Sequence, residues 1–299
     1  MTINTICVLG GTGFIGRHLV KRLHSEGYTV RILTRNVRRA HHLHSVPQLQ
    51  MRQVSDFEVA TLNDAFADCQ AVINLVGILN GSPAAFDQAH AQLPANIVAA
   101  AAQTGVTHYL HMSALNANTE GPSEYLKSKG RGEVAALAGA QQGLHVTSLQ
   151  PSVVFGPGDS FFNRFAGLLK FSPFIPLACP NARFAPVYVG DVVEAFMGGL
   201  SREDTAGQCY ELCGPKIYTL RELVQHSAQL IHRSRLIIGL PDGLSRLQAK
   251  VFERLPGQPF TMDNYLSMQI DSVCRTNGLA ALGIEPRAVE SMTLEELRS

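Results

Sequence analysis

The sequence predicts an α/β protein built on a doubly wound parallel sheet, followed in the chain by a smaller mixed C-terminal substrate domain. Three observations carry that prediction. Short apolar runs alternate with helical stretches through the first 155 residues, and a glycine-rich turn follows the first run directly. The alternation then breaks at residues 156–158 into a Gly/Pro loop, with prolines at 173, 176, 180 and 186 beyond it.

Taken in order, residues 5–9 read as a buried strand, 15–25 as a helix, 29–34 as a strand, 71–76 as another and 95–103 as the helix that follows. Residues 109–113 and 145–154 are further strands, separated by a helix over 124–138. Strands and helices in alternation imply βαβ units and hence parallel pairing. After the break, residues 187–189 read as a short strand and a helix starts at Asp191, with Glu194 as its returning capping-box partner. One more short strand is expected at 209–212, and helices at 219–231 and 240–255. The division is thus 1–155 for a dinucleotide-binding domain and 156–299 for the cap, with 187–213 returning to the main sheet.

Composition narrows the function classes. The chain has 299 residues, 45% of them hydrophobic, and 25 Lys plus Arg against 24 Asp plus Glu. A net charge of +1 lacks the basic excess of a nucleic-acid binder. No apolar stretch reaches the roughly 18 residues of a membrane span, and no secretory leader pattern precedes the first strand, so a cytoplasmic protein is expected. Six scattered cysteines without a C-x-x-C pair point to a reducing compartment, with Cys209 and Cys213 read as buried thiols on one face of a strand.

The turn at residues 10–16 is Gly10, Gly11, Thr12, Gly13, Phe14, Ile15 and Gly16. Between a strand and a helix, this is the dinucleotide fingerprint of a Rossmann sheet. Gly11 and Gly13 would allow a tight turn and a close approach to the pyrophosphate, Gly16 would let helix and strand pack, and the helix N-terminus supplies N–H donors. An NAD site usually carries an acid at the end of the second strand; here Arg35 stands there, which favours the 2′-phosphate of NADP(H), with NAD less favoured. Eight basic residues between 17 and 52 (Arg17, Lys21, Arg22, Arg31, Arg35, Arg38, Arg39, Arg52) face one acid, Glu26, a surplus expected to lie around the adenosine phosphate. His41, His42 and His44 have no acid or cysteine near them in sequence, so no metal is expected.

Tyr125 and Lys129 lie four apart on a predicted helix and so share a face. An ammonium one turn away would lower the pKa of a phenol and fit it for proton transfer. Ser113, ending the preceding strand, could hydrogen-bond a substrate oxygen from the same cleft.

With these motifs the chain resembles the short-chain dehydrogenase/reductase superfamily in its extended or atypical branch. The resemblance runs over the glycine turn, Asp56 and Phe57, the Asn-Leu-Val-Gly run at 74–77, Ser113, Tyr125 with Lys129, and Gln-Pro-Ser-Val-Val-Phe-Gly at 150–156. It implies that Asp56 contacts the adenine and that Phe57, Val76 and Gly77 lie along the cofactor. Lys129 would then hold the nicotinamide ribose, and Pro151, Ser152 and Val153 would flank the nicotinamide. More narrowly, the segments 33–36, 111–117, 123–133 and 184–191 are similar to the atypical group that includes the NADPH-carrying accessory subunit of respiratory complex I and its bacterial relatives.

Three functions follow. One is a reductase acting on an apolar carbonyl or quinone-related substrate, with Tyr125 as proton donor. The second is a non-catalytic NADPH-binding accessory or redox-sensing protein with a protein partner. The third is a nucleotide-sugar epimerase or dehydratase, which would keep NAD bound. Phe161, Phe162, Phe165, Phe171, Phe174 and Phe184 either line an apolar substrate pocket or form the core of the cap. Residues 236–255, with Arg235, Arg246, Lys250 and Arg254, either pack on the cap or make peripheral contact with an anionic inner membrane.

Overall fold

The structure is a computed structural model that describes residues 3–43 and 46–298. The chain runs β1 (Thr5–Leu9), α1 (Phe14–Ser25), β2 (Thr29–Thr34), β3 (Gln50–Gln53), α2 (Val59–Phe66), β4 (Ala71–Asn74), α3 (Pro83–Asp87), α4 (Leu93–Ala101), β5 (His108–Met112) and α5 (Glu124–Leu137). It continues through β6 (His145–Pro151), β7 (Val154–Phe155), α6 (Phe161–Phe171), β8 (Phe174–Leu177), β9 (Arg183–Phe184), β10 (Val187–Tyr188), α7 (Val189–Ser201) and β11 (Gln208–Leu212). The remainder is β12 (Tyr218–Thr219), α8 (Leu220–Leu230), β13 (Leu236–Gly239), α9 (Asp242–Phe252), α10 (Met262–Ser267), α11 (Gly278–Ala281) and α12 (Leu294–Arg298).

Seven strands pair in the order β11-β6-β5-β4-β1-β2-β3, every pair parallel. Parallel strands need cover on both faces, and the sequence supplies it by running continuously apolar through β1 and β4, whose inner residues are fully buried. On one face Leu19, Val20 and Leu23 of α1 pack with Val192 and Phe196 of α7. On the other, Leu62 and Phe66 of α2 pack with Ile97 and Val98 of α4. The chain winds outward from β1 through β2 to β3, then reverses from β4 toward β11. The reversal opens a crevice at the carboxyl ends of β1 and β4, where ligands bind in such sheets.

Several elements differ from the sequence expectation for local reasons. The strand expected over 71–76 stops at Asn74, whose side-chain oxygen accepts the Val76 N–H at 3.0 Å and turns the chain out of the sheet. The helix expected at 95–103 is the second half of a longer one: α3 passes through a π-helical turn (Gln88–Gln92) into α4. Pro94 lacks the N–H that would bond the His90 carbonyl in a regular helix, which is the local cause of the wide turn.

Asp191 is not an N-cap. The helix begins two residues earlier, after Tyr188; Asp191 accepts the Arg287 N–H at 2.8 Å and Glu194 accepts from Arg22 at 2.7 Å. The capping pattern was present, but long-range partners claim both carboxylates. The reading of Cys213 as a thiol is also overturned. It forms a disulfide with Cys274, 61 residues away in sequence, while Cys209 is exposed rather than buried.

The cap is held by its own core, in which Phe155, Phe162 and Phe184 meet Leu169, Ile175, Leu220, Leu223 and Val224. Phe161 and Phe165 pack on its margin, whereas Phe174 is exposed. Phe162 and Phe184 are thus part of this core and Phe161 and Phe165 pack against it. Among the described residues, no helix is long and apolar enough to cross a membrane.

Candidate functional site

The crevice is shaped by the turn after β1. Gly10 adopts φ +79°, and a Cβ there would lie 3.0 Å from the Leu75 carbonyl carbon just past β4. The left-handed position is thus Gly10 rather than Gly11 or Gly13, whose contacts are tight but whose φ is not positive. At Gly16 a Cβ would come within 2.3 Å of the Gly10 oxygen, so helix and turn meet there only because the side chain is absent. Gly13 is the N-cap of α1, no side chain caps that end, and its first turn holds no acid. Thr12, Phe14 and Ile15 ride on this turn, which presents backbone N–H groups and the positive end of a twelve-residue helix to the crevice.

Arg35 follows β2 directly, is exposed, and its guanidinium lies 5.9 Å from the Phe57 ring centre. Thr34 Oγ1 accepts the Asn36 N–H at 3.1 Å and fixes the turn between them. Asp56, beside Phe57, has its carboxylate occupied by Ser55, the Glu58 N–H and Thr61, which hold its pKa below the usual carboxylate value. Much of the basic surplus is committed elsewhere. Arg22 pairs with Glu26 and Glu194, Arg31 donates to the carbonyls of Ala65 and Ala67, Arg52 donates to the backbone carbonyl of Asp64, and Arg17 donates to the Pro157 carbonyl. Four of the eight basic side chains, Arg17, Arg22, Arg31 and Arg52, thus already have partners within the chain. Of His41, His42 and His44, the first two rings meet edge to face at 5.5 Å; His44 lies outside the described residues.

At the other end of the crevice, Lys129 is buried and its ammonium donates to the Met112 carbonyl at 2.7 Å, one residue before Ser113. Burial lowers its pKa to about 8 against the opposing influence of Glu133. Ser113 Oγ and, two residues earlier on the same side of the strand, His111 Nε2 are both buried with no hydrogen-bond partner. Tyr109 holds the other ring nitrogen of His111 at 3.1 Å. Two orphaned polar atoms beside a lysine are what a site shaped for a polar ligand leaves behind.

Tyr125 is half-buried, with its ring against His90 at 5.6 Å and Phe86 at 6.2 Å. Its phenol is not lowered by Lys129, as the sequence implied. Burial pushes it up to about 12, and the Asp263 carboxylate adds to the rise. His90 joins the two halves of the site. Its Nε2 accepts the Ile78 N–H at 3.0 Å, so its Nδ1 carries the proton toward Ser128 Oγ at 2.9 Å, and Ser128 donates to the Tyr125 carbonyl. Burial first and the Lys129 charge second lower the His90 pKa to about 3, keeping the ring neutral. Val76 and Gly77 are thereby held between Asn74 and His90, and a Cβ on Gly77 would stand 3.9 Å from the Lys129 ammonium.

Pro151 ends β6 and its carbonyl accepts the Leu115 N–H, but Ser152 turns its hydroxyl to Ser272 at 2.8–2.9 Å. Val153 packs against the cap core. His90 and Asp263 were missed from sequence: a lone histidine inside an apolar helix carries no signature, and Asp263 acts 138 residues from its partner. A Gly/Pro loop closes the crevice side at Pro157, whose carbonyl also meets His18 at 3.0 Å.

Residues 6–213 match the model of the NAD dependent epimerase/dehydratase family. Mouse (Mus musculus) NADH dehydrogenase [ubiquinone] 1 alpha subcomplex subunit 9, mitochondrial, is 29% identical over 97% of this chain and 79% of its own. The ceramide reductase of Caulobacter vibrioides is 28% identical over 79% of this chain and 74% of its own. The solved structure of MoeE5 in complex with UDP-glucose and NAD superimposes with a TM-score of 0.72 at 20% identity, covering 99% of this chain and 96% of that one.

Proposed function

Since the chain belongs to the NAD dependent epimerase/dehydratase family, we propose that it is an NADP(H)-dependent oxidoreductase that reduces an apolar carbonyl or quinone-related compound. The observation that carries this reading is the Lys129 to Met112 hydrogen bond, which draws the helix bearing Tyr125 onto the strand end bearing Ser113. The glycine cradle and the orphaned Ser113 hydroxyl fit a dinucleotide whose nicotinamide end lies over β5. Bound nicotinamide supplies the hydride. Lys129 would hold the ribose hydroxyls, Ser113 would orient the substrate oxygen, and Tyr125 would deliver the proton. A phenol raised to about 12 is protonated at neutral pH, the form that a proton donor needs.

Arg35 supports the phosphorylated cofactor, because a guanidinium at that position can bind a 2′-phosphate in bidentate fashion. The apolar substrate class draws on the ceramide reductase likeness. A second reading, a cofactor-holding accessory protein with a protein partner, is favoured by the likeness to the mouse complex I subunit over nearly the whole chain.

Calorimetric titration with NADPH, NADH and their oxidised forms, repeated on Arg35→Ala, tests the cofactor assignment. The expected result is a preference for the phosphorylated forms that the variant loses. Equal affinity for NADH overturns it, and NAD retained through purification favours epimerase chemistry instead. NADPH oxidation with apolar carbonyls and quinones, abolished in Tyr125→Phe, separates the enzyme from the accessory reading.

A further inference from the structure

We infer that the flank of the cap formed by α9 and the β8–β13 ribbon is a docking surface for an anionic phospholipid bilayer. Helix α9 is amphipathic with its apolar stripe turned outward. Its buried face is the small pair Ser245 and Ala249, while Leu244, Leu247 and Val251 are exposed at spacings that place them on one side. Leu255, four residues past Val251, extends the stripe beyond the helix and is also exposed.

The neighbouring ribbon repeats the pattern. Leu236 pairs in register with Phe174 and Ile238 with Pro176, and all four are exposed while Ile175 and Leu177 point into the core. Gln248 of α9 donates to the Pro176 carbonyl at 3.0 Å, which joins helix and ribbon. Seven of the thirteen exposed large apolar side chains among the described residues lie in segments 174–177 and 231–255. A concentration of this kind marks an interaction face, whereas the other six fall singly along the chain.

Charge selects the occupant. These two segments carry five basic residues, Arg233, Arg235, Arg246, Lys250 and Arg254, and only two acids, Asp242 and Glu253, in a protein whose net charge is +1. Both acids are engaged within the molecule, Asp242 with the Tyr265 hydroxyl at 2.7 Å and Glu253 with the Met262 N–H at 2.9 Å. Arg246, Lys250 and Arg254 flank the leucine stripe, so a helix lying in the headgroup plane would bury its leucines and set its cations against lipid phosphates. A second copy of this chain would meet like charge. Helix α9 is tied through α10 to the N-terminus of α5, which carries Tyr125, so the surface lies two helices from the candidate site. The inference stands whether or not the cofactor assignment does.

The test is vesicle flotation of the full chain with phosphatidylcholine alone and with phosphatidylglycerol added, at low and raised salt. Binding is expected on the phosphatidylglycerol vesicles, weakening as salt rises. At about fivefold in affinity per cation near the surface, Arg246→Glu with Lys250→Glu is expected to weaken binding at least tenfold. Leu247→Ser with Val251→Ser is expected to weaken it similarly. These side chains are exposed, and retained circular dichroism confirms folding. Equal partition onto both vesicles, or absence of binding to either, overturns the proposal. So does light scattering that finds a dimer which the serine variant dissociates. The vesicle comparison on the unaltered chain decides even if a variant fails to fold.

Discussion

The Asp263 carboxylate accepts the backbone N–H of Tyr125 at 3.1 Å and that of Glu124 at 2.6 Å, so a residue of α10 caps the helix that carries the candidate proton donor. Ser267 extends the same junction by donating to Ser123, the N-cap of α5. The capping charge also disfavours the phenolate, because it stands beside the ring it positions.

Asp263→Asn is accordingly expected to lower the Tyr125 pKa from about 12 toward the ordinary tyrosine value, while destabilising the fold by about 1 kcal/mol through the weakened cap. Ultraviolet titration of tyrosinate, compared with the same variant carrying Tyr125→Phe, reads the first effect. Urea unfolding reads the second. An unchanged Tyr125 titration would show that burial alone sets the value.

Gly16→Ala places a methyl group 2.3 Å from the Gly10 oxygen. Overpacking of this kind costs about 1–3 kcal/mol, more than the roughly 1 kcal/mol that alanine returns within a helix. The expected outcome is a lower unfolding midpoint together with at least a tenfold loss of NADPH affinity. Wild-type affinity in a folded variant would remove the glycine turn from the binding site.

The sheet was legible in the sequence because its strands are buried on both faces and therefore run apolar, as β1 and β4 do. The glycine turn and the Tyr125–Lys129 spacing were legible because their geometry is local. What was hidden depends on distant partners. Asp191 has a capping pattern but serves Arg287, and Cys213 has no sequence signal for a partner 61 residues away. The Tyr125 pKa was misread for the same reason: proximity to Lys129 in sequence is visible, whereas burial and the Asp263 charge are products of the fold. Likewise, the basic run from Arg17 to Arg52 reads as one cluster only until carbonyls and carboxylates from other elements claim its members.

The Cys213–Cys274 disulfide joins the end of β11 to the segment carrying Ser272, which in turn holds Ser152. Thiol titration of the denatured, unreduced protein is expected to find four free cysteines of the six. A loop of this length gives about 4 kcal/mol in the chain-entropy account, so reduction or Cys274→Ser is expected to lower stability by about 2–4 kcal/mol. Six titratable thiols, or unfolding unaffected by reductant, would contradict the pairing.

His90 makes the acid limb of stability testable. Its folded pKa lies near 3, below the ordinary 6.5, because burial disfavours the imidazolium. Below about pH 6.5 the unfolded chain takes up a proton that the folded chain refuses, so stability present above that pH is lost as pH falls toward 3. Between about pH 7 and pH 5 this one group accounts for a loss of about 2 kcal/mol. Other buried histidines, His111 among them, shift the same way, so the informative quantity is the difference between two slopes. His90→Gln is expected to be less stable at neutral pH, because the Ile78 N–H and Ser128 partners are disturbed. Its unfolding free energy, followed by urea across that range, is nevertheless expected to fall by about 2 kcal/mol less than the wild type's. Parallel curves would mean that His90 takes up its proton in the folded protein as readily as in the unfolded chain, which would abolish the bond that its Nε2 accepts from the Ile78 N–H.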